Sequence, residues 1–310
     1  MIAVSSVRGP VRVGATYPSY GMASSRECVR EWVNGVVELG LDHVSVSDHV
    51  LGVDPDVATA GWDAQYPGGP KGASIYSHEA TYHEPFVLLA FMAALCPLEL
   101  STGVLVLPQR QTALVAKQAV ELDVLSGGRL RLCVGVGWNA AEYEALGVPF
   151  NQRGRILDEQ IEVLQQFWTH PTITYEGEFH HLKGVGTQVR PLQQPIPLWM
   201  GGNSQPALER AGRLGGGWFA MRNTSPEVVA ERWAVIREAA QRAEREDIDE
   251  LGLEVRLDIR DQAGPAFVQR AQDLLALGPT HLCIDTQQPG RTMPAHHLEA
   301  LSAAVSALTS

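Results

Sequence analysis

Two strand-like segments, Val11-Arg-Val-Gly-Ala-Thr16 and His43-Val-Ser-Val-Ser47, flank the stretch Arg26 to Leu39, and this run decides the architecture. Within the middle stretch Val29, Trp32, Val33 and Val36 recur at helical spacing, and Gly40 stops the helix behind them. A helix joining two short strands demands that the strands run parallel. The alternation then continues to the end of the chain. Helices are expected over Glu84–Leu95, Gln111–Leu125, Arg155–Trp168 and Ser204–Leu214, and strands over Glu99–Leu107, Arg129–Gly135, Ile196–Met200 and Gly217–Ala220. Ser225-Pro226-Glu227 carries a capping Ser, a Pro at the first helical position and an acid in the first turn, so it opens another helix. Strands Glu254–Ile259 and Thr280–Asp285, each with a helical stretch behind it, complete the series.

Eight strands and eight helices in strict order predict an α/β fold, a single closed (β/α)8 barrel over residues 1–310. An open doubly wound sheet is the competing arrangement, but no G-x-G-x-x-G follows the first strand. Such a barrel needs about 250 residues. The surplus falls in an insertion at about 50–83 and a hairpin at about 172–182 that turns at Glu176-Gly177.

Composition removes several functions. With 24 Lys+Arg against 35 Asp+Glu the net charge is −11, which disfavours nucleic acid as a partner. The longest apolar run, about Phe86 to Cys96, is far short of the roughly 20 residues of a membrane span. No charged-then-apolar signal segment stands at the N-terminus. Cys28, Cys96, Cys133 and Cys283 lie far apart, as befits buried free thiols in a reducing, cytoplasmic compartment.

In a barrel of this kind the chemistry sits at the C-terminal ends of the strands. Those ends read Ser47-Asp48-His49, Ser101-Thr102-Gly103-Val104, Gly135-Val136-Gly137-Trp138-Asn139 and Gly201-Gly202-Asn203-Ser204. The last leads into a helix whose amides and dipole would cradle a phosphate, with Gly137 adding amides from the neighbouring strand. Taken singly, such glycines serve only tight turns; two sets on adjacent strands favour a phosphate site. His49 could bind a ligand or move a proton near neutral pH, or simply bond to a neighbouring loop. No further metal ligand stands at ligand spacing from Asp48-His49, so no metal site is read there. Glu142 and Glu144 read as an exposed first helical turn, and the pairs His180-His181 and His296-His297 as surface or lining residues.

Several of these runs resemble the bacterial luciferase-like monooxygenase superfamily. They are Leu39 to His49, Val115 to Arg129 entering Gly135-Val-Gly-Trp138, Glu144 to Arg155, Pro197 to Ser204, and Gly215-Gly-Gly-Trp-Phe219. Ser47-Asp48-His49 and the Gly-Val-Gly-Trp-Asn turn are closer to its branch that uses the deazaflavin coenzyme F420. The resemblance implies a TIM barrel, an oxidoreductase transferring hydride between the deazaflavin C5 and a small organic substrate, and usually a homodimer. It implies that His49 lies beside the cofactor ring as the catalytic residue, and that Gly103-Val104 forms a non-proline cis bulge behind the ring. Asp48, Val136, Gly137, Gly201, Gly202, Asn203 and Ser204 would bind the cofactor, and Trp138, Met221 and Arg222 the substrate, with Asp258 nearby. A catalytic Glu of some sugar-phosphate dehydrogenases in this branch aligns with Trp138, which counts against that activity here. Their Trp shortly after the Asp-His pair is also missing, with Gly52 or Val53 in its region. The alternatives are an FMN-dependent monooxygenase that activates O₂ and a non-catalytic flavin-binding protein.

Overall fold

A computed structural model describes residues 4–6, 9–19, 22–52, 54, 77–222, 224–259, 263–288 and 290–309. Its frame is a set of parallel strands: β1 (Arg12–Thr16), β2 (His43–Val46), β3 (Glu99–Thr102), β4 (Leu130–Gly135), β5 (Leu198–Gly201), β6 (Gly217–Phe219), β7 (Gly252–Asp258) and β8 (His281–Asp285). Each pairs with the next, and β8 returns to β1 with His281 opposite Arg12 and Ile284 opposite Ala15. The sheet is therefore a closed eight-stranded barrel, as the alternating pattern demands.

The crossovers are α1 (Arg26–Glu38), α2 (Pro85–Ala93), α3 (Thr112–Ser126), a short α4 (Ala140–Ala145) followed by α5 (Arg153–Thr169), α6 (Gln205–Leu214), α7 (Pro226–Arg242), α8 (Pro265–Leu275) and the closing α9 (Pro294–Thr309). They cover the outer face of the barrel. Trp32, Val33 and Val36 of α1 and Ile161, Leu164 and Trp168 of α5 are fully buried against it, with the strands' outward Val13, Val44 and Leu132. Both faces of a parallel sheet are thus dry, which is why the strands read as nearly continuous buried runs. Of the two insertions, the hairpin is present, with Ile173–Glu176 pairing antiparallel to His181–Val185. Most of the 50–83 segment lies outside the described residues, so the insertion expected there is not characterised beyond its ends.

One strand departs from expectation. The run Glu99–Leu107 is not one strand: it breaks at Gly103-Val104, where the peptide bond is cis, and resumes as the two-residue strand Leu105–Val106 beside β4.

The barrel interior is polar. Arg131 on β4 pairs with Glu99 on β3 at 2.7 Å and with Glu254 on β7 at 2.8 Å. Reaching β7 from β4 is possible only across the barrel axis, so these charges fill the space that bulky aliphatic side chains usually occupy. His43, Cys133, His281 and Cys283 share it. Burial costs each charge dearly unless it is paired, and the titrations follow. Burial, helped by the charges of His281 and Arg131, holds His43 well below the ordinary histidine value, and burial pushes the Cys133 and Cys283 thiols up to about 12. For Glu99 burial works upward, but Arg131 and His281 overcome it and keep the carboxyl well below its ordinary range. Trp199 plugs the lower barrel, with Arg131 stacked 4.4 Å from its ring and His281 edge-on at 5.0 Å. Its indole lies over Gly252 and Gly217: a Cβ on Gly252 would come 2.0 Å from Trp199 Cζ2, so no larger residue fits.

Candidate active site

The polar interior gives way, at the C-terminal ends of the strands, to a cavity of about 380 Å³. Of the site residues expected from the sequence, all but Asp258 line it. Asp48 and His49 come from the end of β2, Gly103 and Val104 from the break after β3, and Val136, Gly137 and Trp138 from the turn after β4. Gly201, Gly202, Asn203 and Ser204 follow β5, and Met221 and Arg222 follow β6.

Val104 forms one wall. Its side chain packs against the glycines that end β4 and β5, and a Cβ at Gly201 would lie 2.5 Å from Val104 Cγ1. The two strand ends can close on Val104 only because position 201 carries no side chain, which leaves a smooth apolar wall beside backbone amides. Gly137 and Gly202 take positive φ, 62° and 123°, and so turn the chain sharply around the cavity rim. Ser204 is the N-cap of α6 and makes no side-chain capping bond, so the positive end of this ten-residue helix opens onto the cavity.

His49 is held by a residue that the sequence reading placed in solvent. Glu142, expected on an exposed turn, is 1% exposed. Its Oε1 accepts from His49 Nδ1 at 3.2 Å, Val50 N at 2.9 Å and Leu51 N at 3.2 Å, and its Oε2 accepts from Gln109 Nε2 at 3.0 Å. The chain leaving β2 folds over α4 and covers the carboxylate, which is why a first-turn acid is not solvated here. Glu144, two residues on, is exposed as expected. Burial works to raise the Glu142 pKa, but the hydrogen bond and charge of His49, with Gln109 and the Leu51 amide, bring it below the ordinary carboxylate value. Because an ionised carboxylate only accepts, His49 carries its hydrogen on Nδ1. Tyr82, edge-on at 4.8 Å, and Trp138 at 5.8 Å flank the imidazole.

Asp48 is committed differently. Its carboxylate accepts from Val106 N at 2.9 Å and from Arg110 at 2.8 and 3.2 Å, which ties the broken strand to the end of β2. Across the cavity, Arg222 stands 3.9 Å from Asp285, whose oxygens also receive Gln287. Asp258, opposite Asp285 in the β7–β8 register, has both oxygens buried without a hydrogen-bond partner, and burial followed by the charge of Asp285 raises its pKa. Sequence reasoning missed Glu142, Tyr82, Arg153, Arg256 and Asp285. Glu142 was not legible there, since only a tertiary contact buries it. Of the His296-His297 pair, His296 is exposed as expected, but His297 is fully buried, bonded to Thr286 Oγ1 at 2.9 Å and the Arg291 carbonyl at 3.1 Å.

The sequence profile of the luciferase-like monooxygenases matches residues 12–257, from β1 to the end of β7. The chain belongs to the luciferase-like monooxygenase family. It is similar to the F420-dependent glucose-6-phosphate dehydrogenase of Amycolatopsis mediterranei, 28% identical over 223 residues that cover 68% of this chain and 59% of that protein. It is also similar to the FMNH(2)-dependent dimethylsulfone monooxygenase of Pseudomonas putida, 32% identical over 123 residues, 38% of this chain and 34% of that one. The chain spans about half the length of the Mycobacterium tuberculosis relatives that it matches at 39% identity over 155 residues. Among solved structures, the coenzyme F420-dependent tetrahydromethanopterin reductase of Methanopyrus kandleri superposes with a TM-score of 0.72 over 97% of this chain and 99% of the other, at 16% identity. That likeness establishes a common luciferase-like fold. The family embraces relatives named for F420 and for FMNH(2).

Proposed function

We propose that this luciferase-like protein is an oxidoreductase that binds coenzyme F420 and exchanges hydride with a small organic substrate, with His49 as its catalytic residue. The observation that carries the reading is the His49–Glu142 pair, a histidine on the cavity wall oriented by a buried carboxylate. The walls suit a flavin-class cofactor. Val104 and the glycines around it would back a flat ring, and the α6 N-terminus with Asn203 and Ser204 would receive a phosphate. Arg153, on the same cavity and fixed by its bond to the Phe150 carbonyl at 2.7 Å, would supply positive charge that the chain as a whole lacks. A bound deazaflavin supplies two-electron chemistry at its C5.

The chain's own part is orientation and proton transfer. Glu142 fixes the His49 tautomer with its hydrogen on Nδ1, so that His49 exchanges a proton at Nε2 as the substrate is oxidised or reduced. Tyr82 and Trp138 keep the imidazole plane in place and limit water beside it. Arg222 and Asp285 mark the side on which a polar substrate group would be met.

The similarity to the dimethylsulfone monooxygenase supports a second reading, an FMNH(2)-dependent monooxygenase. Fluorescence titration of the purified chain with F420 and with FMN separates the two. Saturable binding of F420 is expected, and His49→Ala should then leave binding intact while turnover falls by about 10²–10⁴-fold. Tight binding of FMN with no response to F420 would overturn the deazaflavin reading.

A further inference from the structure

The least expected group in the molecule lies one layer beneath the cavity. His43 of β2, Glu254 of β7 and Cys283 of β8 offer a ring nitrogen, a carboxylate oxygen and a sulfur that all lie within 4.8 Å of one another. All three residues are fully buried. Neither ring nitrogen of His43 has a hydrogen-bond partner, nor has Oε1 of Glu254, although a buried polar atom left unpaired costs about 1–3 kcal/mol. Three orphaned atoms converging with a thiol on one point ask for a ligand that all three residues can share.

We propose that His43, Glu254 and Cys283 form a binding site for a divalent metal ion of the zinc type inside the barrel. Imidazole, carboxylate and thiolate are the donors that such a borderline-soft ion takes, and three protein ligands leave a fourth position for water. The surroundings support the donors. Glu254 keeps Arg131 on Oε2 at 2.8 Å, which leaves Oε1 for the ion, and Thr16 Oγ1 stands 3.4 Å from the Cys283 sulfur. Carboxylate and thiolate ligands held by outer partners in this way are characteristic of metal sites. On binding, Cys283 releases its thiol proton to solvent, and the thiolate and the Glu254 carboxylate together neutralise the dication. Arg131 and Arg256 flank the group, but each has other partners: Glu99 for Arg131, and Thr16 with the Phe219 ring for Arg256. Entry is from above. Glu254 and Cys283 each stand two residues before a cavity-lining residue on the same strand, Arg256 and Asp285 respectively.

The test needs no cofactor and is independent of the proposed activity. The full chain is stripped with a chelator, dialysed against zinc and assayed for bound metal, and the zinc environment is read by X-ray absorption. One zinc per chain is expected, with a single sulfur and otherwise nitrogen or oxygen neighbours, and a melting temperature raised by several degrees over the chelated protein. Cys283→Ser should lose the ion and the rise, while Cys133→Ser should keep both. Zinc well below one per chain after dialysis, or a shell without sulfur, would overturn the site. So would Cys283→Ser that still shows the rise. Where Cys283→Ser fails to fold, the absorption spectrum of the unmutated protein decides.

Discussion

Glu142 shows how much of the candidate site depends on one side chain. It stabilises the turn after β2 by accepting the Val50 and Leu51 amides and orients His49 at the same time. Gln109 Oε1 is buried without a partner, so a flipped Gln109 amide can accept from a new NH₂ at position 142. Glu142→Gln is therefore expected to fold, with turnover reduced about tenfold or more but less than in His49→Ala. Glu142→Ala strands several buried donors and should lower stability by about 1–3 kcal/mol, read from urea unfolding. The pH dependence has a definite sign. The folded pKa of Glu142 lies below its ordinary 4.5, so the stability it contributes is full above pH 4.5 and is lost as pH falls through the folded value. Glu142→Gln should flatten that acid limb.

At the scale of elements, the connections carry what the strands and helices only position. The loop after β8 is fastened to α9 by His297, bonded to Thr286 and to the Arg291 carbonyl. Burial, the largest influence, lowers the His297 pKa from 6.5 to about 4. Between those values the unfolded chain binds a proton that the folded chain does not, so stability rises with pH across this window. It is fully present above 6.5 and lost as pH falls toward 4. His297→Gln, which keeps a donor and an acceptor, should show a smaller fall in urea midpoint between pH 7 and pH 5 than the unmutated chain; an equal fall would contradict the assignment. The break in the third strand is another such element. Glu99 to Leu107 has one continuous strand pattern, and only the close packing of Val104 on the ends of β4 and β5 shows why the ladder stops at Thr102.

For the whole molecule, closure of the barrel rests on matching large and small residues across its interior. Trp199 occupies the space above Gly217 and Gly252. Gly252→Ala is predicted to overpack this layer and lower stability by about 1–3 kcal/mol, seen as an earlier thermal or urea midpoint. Adding Trp199→Leu should restore part of the loss, because the two substitutions meet at one contact and will not add. The same interior holds Arg131 against Glu99 and Glu254 across the axis. These charges fix how the strands face one another as well as filling the space between them.

The sequence alone determined the order of strands and helices, the closed barrel and the strand ends where the cavity lies. Those features are local: a hydrophobic period, a cap or a glycine is written within a few neighbouring residues. The strand ends named Asp48, His49, Gly137, Gly202 and their neighbours because in this fold position along a strand predicts position in space. Only the tertiary structure decided which of them work together. Glu142 meets His49 across 93 positions, and His43 meets Glu254 and Cys283 across more than two hundred, with no spacing to announce either group. Burial decides the rest, because whether a carboxylate, thiol or imidazole is charged depends on what covers and faces it. Those partners come from strands that the chain reaches only when the barrel closes.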